Sequence, residues 1–216
     1  MPKRVVLLAL LIVGLPLTGL ANTVTFQNNG FCGNTYCYVT LQNTILGPVL
    51  RLTGSNLVGV TWLGGATITG KLGTVSFTTG PLISGTLAGG GTFGSGGSFV
   101  VNANGTGGLP AGLLFQGSFV NPTAWSATNI GVKPTKPVWL YTLSGNIVGG
   151  LSNGLGLAAL TTQLTFDVSH NKTFNNIVRL NSGNSSGTIV PELGTLGLLG
   201  TGLLAIAGLL RRRLNS

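Results

Sequence analysis

The sequence predicts an all-β fold: a single antiparallel β-sandwich or barrel-like domain, followed by a C-terminal transmembrane helix. β-branched and aromatic residues recur in short runs over residues 22–180, and Gly, Asn or Pro interrupts these runs roughly every 8–15 residues. This pattern is typical of antiparallel sandwiches and barrels. A charge-free apolar run over residues 194–210 predicts the transmembrane helix, since about 17 apolar residues are the shortest run that crosses a bilayer.

Residues 1–21 have the organisation of a secretory signal peptide. Lys3 and Arg4 form a basic start, a short apolar core follows, and small residues precede Ala21. We expect signal peptidase to cut between Ala21 and Asn22. The rest of the chain would then fold in an oxidising compartment.

The two cysteines, Cys32 and Cys37, are separated by four residues. An even number of cysteines in an exported protein favours a disulfide. Redox motifs usually have two intervening residues, and a zinc site needs more ligands than a chain with one histidine offers here. We therefore predict a disulfide at the tip of a hairpin, between strands near Thr23–Gln27 and Tyr38–Gln42.

The clearest strand signals are the alternating runs Thr74–Thr78 and Leu160–Val168. Alternation implies that one face of the strand is buried and the other is wet. Other runs predicted as strands are Val24–Phe26, Tyr36–Leu41, Leu57–Trp62, Ser98–Val101, Leu113–Val120 and Val138–Leu143.

The stretch from Gly85 to Gly117 contains several glycine clusters. A phosphate-binding loop needs Gly-Lys-Ser/Thr at the start of a helix, and this stretch has no lysine. We predict hairpin turns and positions where strands bend or approach closely. Four phenylalanines would supply core side chains there: Phe93, Phe99, Phe115 and Phe119.

Two polar segments are predicted to lie outside strands. Residues 132–137 contain two prolines, which cannot donate to a sheet, so we expect a surface loop. Residues 181–189 are rich in Asn, Ser and Gly, and we expect a flexible linker. This linker would separate the β domain, residues 22–180, from the C-terminal segment, residues 190–216.

Composition argues against an enzyme and against a nucleic-acid ligand. Between residues 22 and 189 the one acidic residue is Asp167, so the two-carboxylate route of glycoside hydrolysis is excluded. His170 lies close to Asp167 in sequence, but no Gly-x-Ser-x-Gly elbow accompanies them. We expect no catalytic residue, no cofactor and no metal site.

The basic residues of this body are scattered, whereas nucleic-acid binding needs a concentrated patch. They are Arg51, Lys71, Lys133, Lys136, Lys172 and Arg179.

The apolar run over residues 194–210 is followed directly by a basic tail. Basic residues next to a transmembrane helix stay in the cytoplasm, so the body would lie outside the inner membrane. The tail consists of Arg211, Arg212 and Arg213.

A short motif, Val190, Pro191 and Glu192, precedes the apolar run. The order of motif, helix and basic tail resembles the PEP-CTERM sorting signal of Gram-negative-type bacteria, with Leu193 where that family usually has a second proline. The resemblance implies that an exosortase, a membrane protease, cuts at or near the motif. It also implies that the cargo goes to the cell surface or the exopolysaccharide matrix.

The function expected from this resemblance is structural or adhesive, in a non-enzymatic protein that is anchored in the membrane or released into the exopolysaccharide. The alternative is a carbohydrate-binding module, since exposed aromatic rings can contact sugars. A domain of this size also needs aromatic residues in its core, so both uses stay open. The candidate glycan contacts are Trp62, Trp125, Trp139 and Tyr141.

Overall fold

The computed structural model of the chain describes residues 22–62, 64–120, 122–132, 137–152, 156–168 and 177–189. All regular secondary structure in these residues is β-strand, and their pairings are antiparallel, which confirms the predicted all-β antiparallel fold. The strands are β1 (Asn22–Asn29), β2 (Phe31–Cys32), β3 (Thr35–Tyr36), β4 (Tyr38–Thr44), β5 (Gly47–Thr61), β6 (Thr67–Thr78), β7 (Leu82–Thr86), β8 (Gly90–Phe93), β9 (Gly96–Asn104), β10 (Ala111–Phe119), β11 (Thr123–Val132), β12 (Pro137–Leu151), β13 (Gly156–Val168) and β14 (Ile177–Ile189).

The hydrogen-bonded pairing closes on itself through eight of these strands. The order is β1, β5, β6, β9, β10, β12, β13 and β14, and β14 pairs again with β1. β4 lies beside β1 between β14 and β5, while β11, β8 and β7 extend the sheet from β12. β2 and β3 form a separate small hairpin.

Alternating side chains build the core inside this closed order. In β6, Val75 and Phe77 are buried, and they pair in register with Val101 and Phe99 of β9. Ser76, which lies between them in β6, is polar and partly exposed, as alternation predicts. The four phenylalanines predicted for the core are confirmed there, each at most 1% exposed: Phe93, Phe99, Phe115 and Phe119.

The Gly-rich stretch runs from the end of β7 into β10, and the predicted turns and close approaches between strands lie within it. Gly97 shows why glycine is needed: its φ is 72°, and a Cβ there would overlap the carbonyl oxygen of Thr78 on the neighbouring strand. Only a residue without a side chain allows this approach without strain.

The prediction of a flexible linker over residues 181–189 is wrong. They belong to β14, which is hydrogen-bonded to β1 on one side and to β13 on the other. The inward positions carry small residues: a Cβ at Gly183 would overlap the side chain of Leu164, and Ser185 shares a 2.7 Å hydrogen bond with Thr162. The small residues that are typical of linkers here allow β14 to pack tightly between β1 and β13.

Each predicted strand run overlaps a strand, although Cys37, Trp62 and Val120 lie just outside one, and several strands were not predicted. β7, β8, β11, β14 and the first half of β5 belong to this group. In the predicted surface loop, Val132 ends β11 and Pro137 begins β12, and residues 133–136 lie outside the described residues. The first residue of β1, Asn22, pairs with the last residue of β14, Ile189, so the chain enters and leaves the domain side by side.

The predicted signal peptide and the C-terminal segment, with its predicted transmembrane helix, lie outside the described residues. Within the described ranges, no helix has the length and apolarity needed to span a membrane.

Candidate functional site

Three aromatic side chains lie exposed beside the cysteine pair, whereas most aromatic side chains of the described residues are buried. Phe31, Tyr36 and Tyr38 expose 38%, 47% and 48% of their surface. The rings of Phe31 and Tyr36 are stacked, with centroids 5.1 Å apart. Rings at the surface that fill no core leave faces open for a ligand.

The hairpin of β2 and β3 holds two of these rings and is fixed at its tip. Cys32 and Cys37 lie at disulfide distance, as predicted, and their Cα atoms are 4.8 Å apart, within the range that a disulfide requires. The hairpin predicted between strands near Thr23–Gln27 and Tyr38–Gln42 is wrong, because these strands, β1 and β4, pair with β14 and β5 instead. The backbone N–H of Gly33 donates to Oδ1 of Asn56 at 2.8 Å, and Nδ2 of Asn56 donates to the Gly33 carbonyl at 2.8 Å. These bonds tie the hairpin to β5.

The other side of the hairpin is tied to β14. The backbone N–H of Leu180 donates to the Cys37 carbonyl at 2.9 Å, and a Cβ at Gly30 would overlap the Leu180 carbonyl oxygen. This close approach places Cζ of Arg179 3.4 Å from the centroid of the Tyr36 ring. The contact is a cation–π interaction, worth about 0.5–1 kcal/mol at exposed sites.

Strand register places a second arginine on the same outer surface. Arg179 pairs with Tyr38 of β4, and Thr40, two residues along β4, pairs with Arg51 of β5. Arg51 and Arg179 are both exposed. Standard strand spacings put their Cα atoms about 12 Å apart. We call this surface the arginine–tyrosine face: Phe31, Tyr36, Tyr38, Arg51 and Arg179.

The described side chains give the face a positive charge. None of the residues with a described side chain is acidic. Asp167 of β13 holds the register position opposite Arg179, and paired residues of neighbouring strands share a face of the sheet, so the register places one acidic residue beside the two arginines. The face therefore combines flat apolar surface with guanidinium donors, an arrangement that can bind a ligand with both apolar and anionic parts.

Two of the predicted glycan contacts are not surface residues, which corrects the expectation of an exposed Trp/Tyr face there. Trp125 and Tyr141 expose 2% and 1% of their surface. Their rings stack with centroids 5.1 Å apart. Nε1 of Trp125 donates to the Leu87 carbonyl at 2.8 Å, and the Tyr141 hydroxyl donates to the Ala88 carbonyl at 3.0 Å. The turn between β7 and β8 therefore covers this pair.

Burial has one electrostatic consequence at this pair. Desolvation raises the pKa of the Tyr141 phenol above 10.0, because burial disfavours the charged phenolate. The neutral side chain is thus a structural part of the core at physiological pH.

The other two predicted contacts, Trp62 and Trp139, are partly buried and pack against the core. Neither belongs to the arginine–tyrosine face. The predicted set of glycan contacts did not include Phe31, Tyr36 or Tyr38. The signal that could have found them is their position: they flank both cysteines of a predicted hairpin tip.

A second surface feature is an open groove of about 580 Å³ across β9, β10 and β12. Several of the residues that line it are glycines, including Gly117 and Gly149, and none of the lining residues is charged. The groove therefore offers neither an ion-pairing group nor a proton donor of suitable pKa.

The one histidine, His170, lies outside the described residues, as do Ala21 of the predicted cleavage site and the residues of the predicted sorting signal, including Glu192 and Arg213. Asp167 is the residue before the last one of β13. Within the described part of the chain, no group of three His, Cys, Asp or Glu side chains is placed to hold a metal ion.

Comparison with protein-family models, with curated proteins and with solved structures gives no match for this chain. The chemistry of the arginine–tyrosine face is therefore inferred from its own residues.

Proposed function

We propose that the chain is an exported, non-enzymatic protein of the cell envelope, with a structural or adhesive role at the cell surface or in the exopolysaccharide. Signal peptidase would remove residues 1–21. The helix over residues 194–210 would hold the body outside the inner membrane, and an exosortase-like protease would act at the motif beginning with Val190. The order of these three segments in the sequence carries the proposal.

The fold supports this arrangement at one point. Asn22 pairs with Ile189, so the end made by signal peptidase would lie beside the start of the anchor segment. Arg179 stands ten residues before Ile189 on β14, about 30 Å away along a strand. We propose that the closed order of strands is a rigid body that presents the arginine–tyrosine face away from this end.

The test is the intact mass of the protein recovered separately from membranes and from the surface or medium. A species that starts at Asn22 and ends near Val190 outside the membrane supports sorting and release. A species that starts at Asn22 and retains Arg213 in membranes supports a tethered protein instead. A chain that keeps Met1 and is recovered from the cytoplasm contradicts the proposal.

A matched pair of variants sharpens this test. Leu193→Pro restores the proline that the resembling family usually has, so it should increase the released fraction if an exosortase acts here. Glu192→Ala should decrease it. Equal release from both variants would show that the motif does not direct cleavage.

Carbohydrate binding is the second candidate function, and the exposed rings of Phe31, Tyr36 and Tyr38 favour it. These residues replace the buried pair Trp125 and Tyr141 as candidate contacts. Loss of glycan binding in Tyr38→Ala, with binding retained in a variant of the partly buried Trp139, would support this assignment. Retained binding in Tyr38→Ala, with loss of binding in the Trp139 variant, would place the site at the tryptophans instead.

A further inference from the structure

We propose that the arginine–tyrosine face binds an acidic polysaccharide whose sugar rings carry carboxylates. The inference rests on the proposed export of the chain and names the ligand class for its second candidate function. The observation behind it is a juxtaposition: two exposed arginines, Arg51 and Arg179, flank the exposed ring of Tyr38 across three neighbouring strands.

The arginines supply the recognition of carboxylate. A guanidinium group is planar and always charged, and its five donors match a carboxylate in a two-pronged hydrogen bond. Arg179 is already held over the Tyr36 ring, with Cζ 3.4 Å from the centroid. A side chain that is ordered before binding loses less conformational freedom when the ligand arrives.

The tyrosine supplies the recognition of a sugar ring. Tyr38 is 48% exposed, and its register position lies beside Arg179 and two residues from the Thr40–Arg51 pair. The C–H face of a pyranose ring gains dispersion contacts and loses water when it packs on an aromatic face. A carboxylate at the edge of that ring would then point toward an arginine.

The hairpin provides the rigidity that such a surface needs. Its tip is bonded to Asn56 through both backbone groups of Gly33, and its base is bonded to Leu180 through Cys37. The stacked pair of Phe31 and Tyr36 is therefore fixed relative to β14. Pre-organised contacts of this kind favour affinity because little ordering remains to be done.

Charge density distinguishes this ligand from other polyanions. Duplex DNA carries one charge per about 1.7 Å of its axis, and its binding proteins match it with dense basic patches. Anionic membranes attract clusters of roughly four to eight basic residues. The described face has two arginines about 12 Å apart, which suits a polymer with one carboxylate per sugar ring.

The test uses the full chain in detergent and immobilised alginate, a linear polymer of uronate sugars, with binding followed by biolayer interferometry. Arg179→Gln and Arg51→Gln should each weaken binding roughly tenfold, since each removes a charge-assisted hydrogen bond. Tyr38→Ala should weaken it about three- to tenfold. The matched control is Arg51→Lys, which keeps the positive charge but lacks the planar fork and should therefore weaken binding nearly as much as Arg51→Gln.

Several results would overturn the inference. Unchanged binding in Arg51→Lys would show general charge attraction. Equal binding to neutral dextran would show a neutral-glycan site, and tighter binding to a DNA duplex would show a nucleic-acid site. Thermal unfolding of each variant checks that the fold is intact. If Arg179→Gln does not fold, Arg179→Lys replaces it, because lysine keeps the charge but lacks the planar fork.

The inference and the proposed function fail in different experiments. A correctly processed surface protein that does not bind alginate contradicts only the inference. A cytoplasmic chain that retains residues 1–21 contradicts the proposed function, whatever it binds.

Discussion

Two aromatic clusters of this protein use similar side chains for opposite purposes. In the first, Trp125 and Tyr141 stack on each other, and the turn between β7 and β8 accepts both of their polar hydrogens. In the second, Tyr36 stacks on Phe31 and under Arg179, with about half of its surface in solvent. What separates them is the covering segment, which residue type alone does not reveal.

The largest expected difference between the two clusters is in their contribution to the free energy of unfolding. Trp125→Ala should lower the free energy of unfolding by about 3–5 kcal/mol, because it empties a large buried site and removes a hydrogen bond. Tyr38→Ala is the matched surface variant and should change it by less than about 0.5 kcal/mol. Urea denaturation measures both. Similar losses in the two variants would mean that the clusters do not differ as described.

β14, the strand that carries Arg179, is itself tightly packed against its neighbours. Gly183→Ala should cost about 1–3 kcal/mol, because the added methyl group would overlap Asn28 and Leu164. Gly150→Ala is the control, since a Cβ there meets nothing within 4 Å. Denaturation of both variants decides whether residues 181–189 form a structural strand. Equal tolerance of the two substitutions would favour the linker predicted from composition.

The cysteine pair should affect the exposed cluster rather than the buried pair of Trp125 and Tyr141, although Cys37 is itself a buried core residue. Replacing Cys32 and Cys37 together with serine should cost about 2 kcal/mol in the chain-entropy description of a short loop. The tryptophan emission spectrum of the folded protein should not change, because Trp125 lies in the other cluster. Wild-type protein treated with a reductant provides the control. A shifted spectrum in the serine variant would show that the two clusters are coupled.

Much of the fold could be predicted because local alternation encodes it. Runs such as Thr74–Thr78 bury one face and turn the other toward solvent whatever their partner strands are. The local sequence therefore predicts them as strands. β14 was missed because its inward positions are Gly183 and Ser185, and small size is needed there only because β1 and β13 close around it. That need arises from long-range pairing, and no local pattern reports it.

The candidate site was harder to predict for the same reason. Arg179 and Tyr36 are far apart in sequence, and the close packing of Leu180 against the hairpin brings them together. The sequence left Trp125 open between a core role and a surface role, because its cover, the turn that includes Leu87, lies between two strands that lack a clear alternating pattern. Aromatic residues beside cysteines were the one local clue to the exposed cluster.

The smallest effect distinguishes the clusters by pH. Burial raises the pKa of Tyr141 above its unfolded value of about 10, so the folded state keeps a proton that the unfolded state releases. This contribution to stability is therefore complete below pH 10 and is lost as the pH rises from there toward the folded pKa. Tyr141→Phe should cost about 1 kcal/mol at pH 7, through the lost bond to Ala88.

The same variant should lose less stability than wild type between about pH 10 and 11, because phenylalanine cannot ionise. Tyr38→Phe controls for the removal of a tyrosine hydroxyl as such, at a position in the exposed cluster. Denaturant titrations at pH 7, 10 and 11 measure the slopes. If Tyr141→Phe loses stability as steeply as wild type over this interval, the alkaline loss arises from other groups. The buried ring of Tyr141 would then contribute through packing and its hydrogen bond alone.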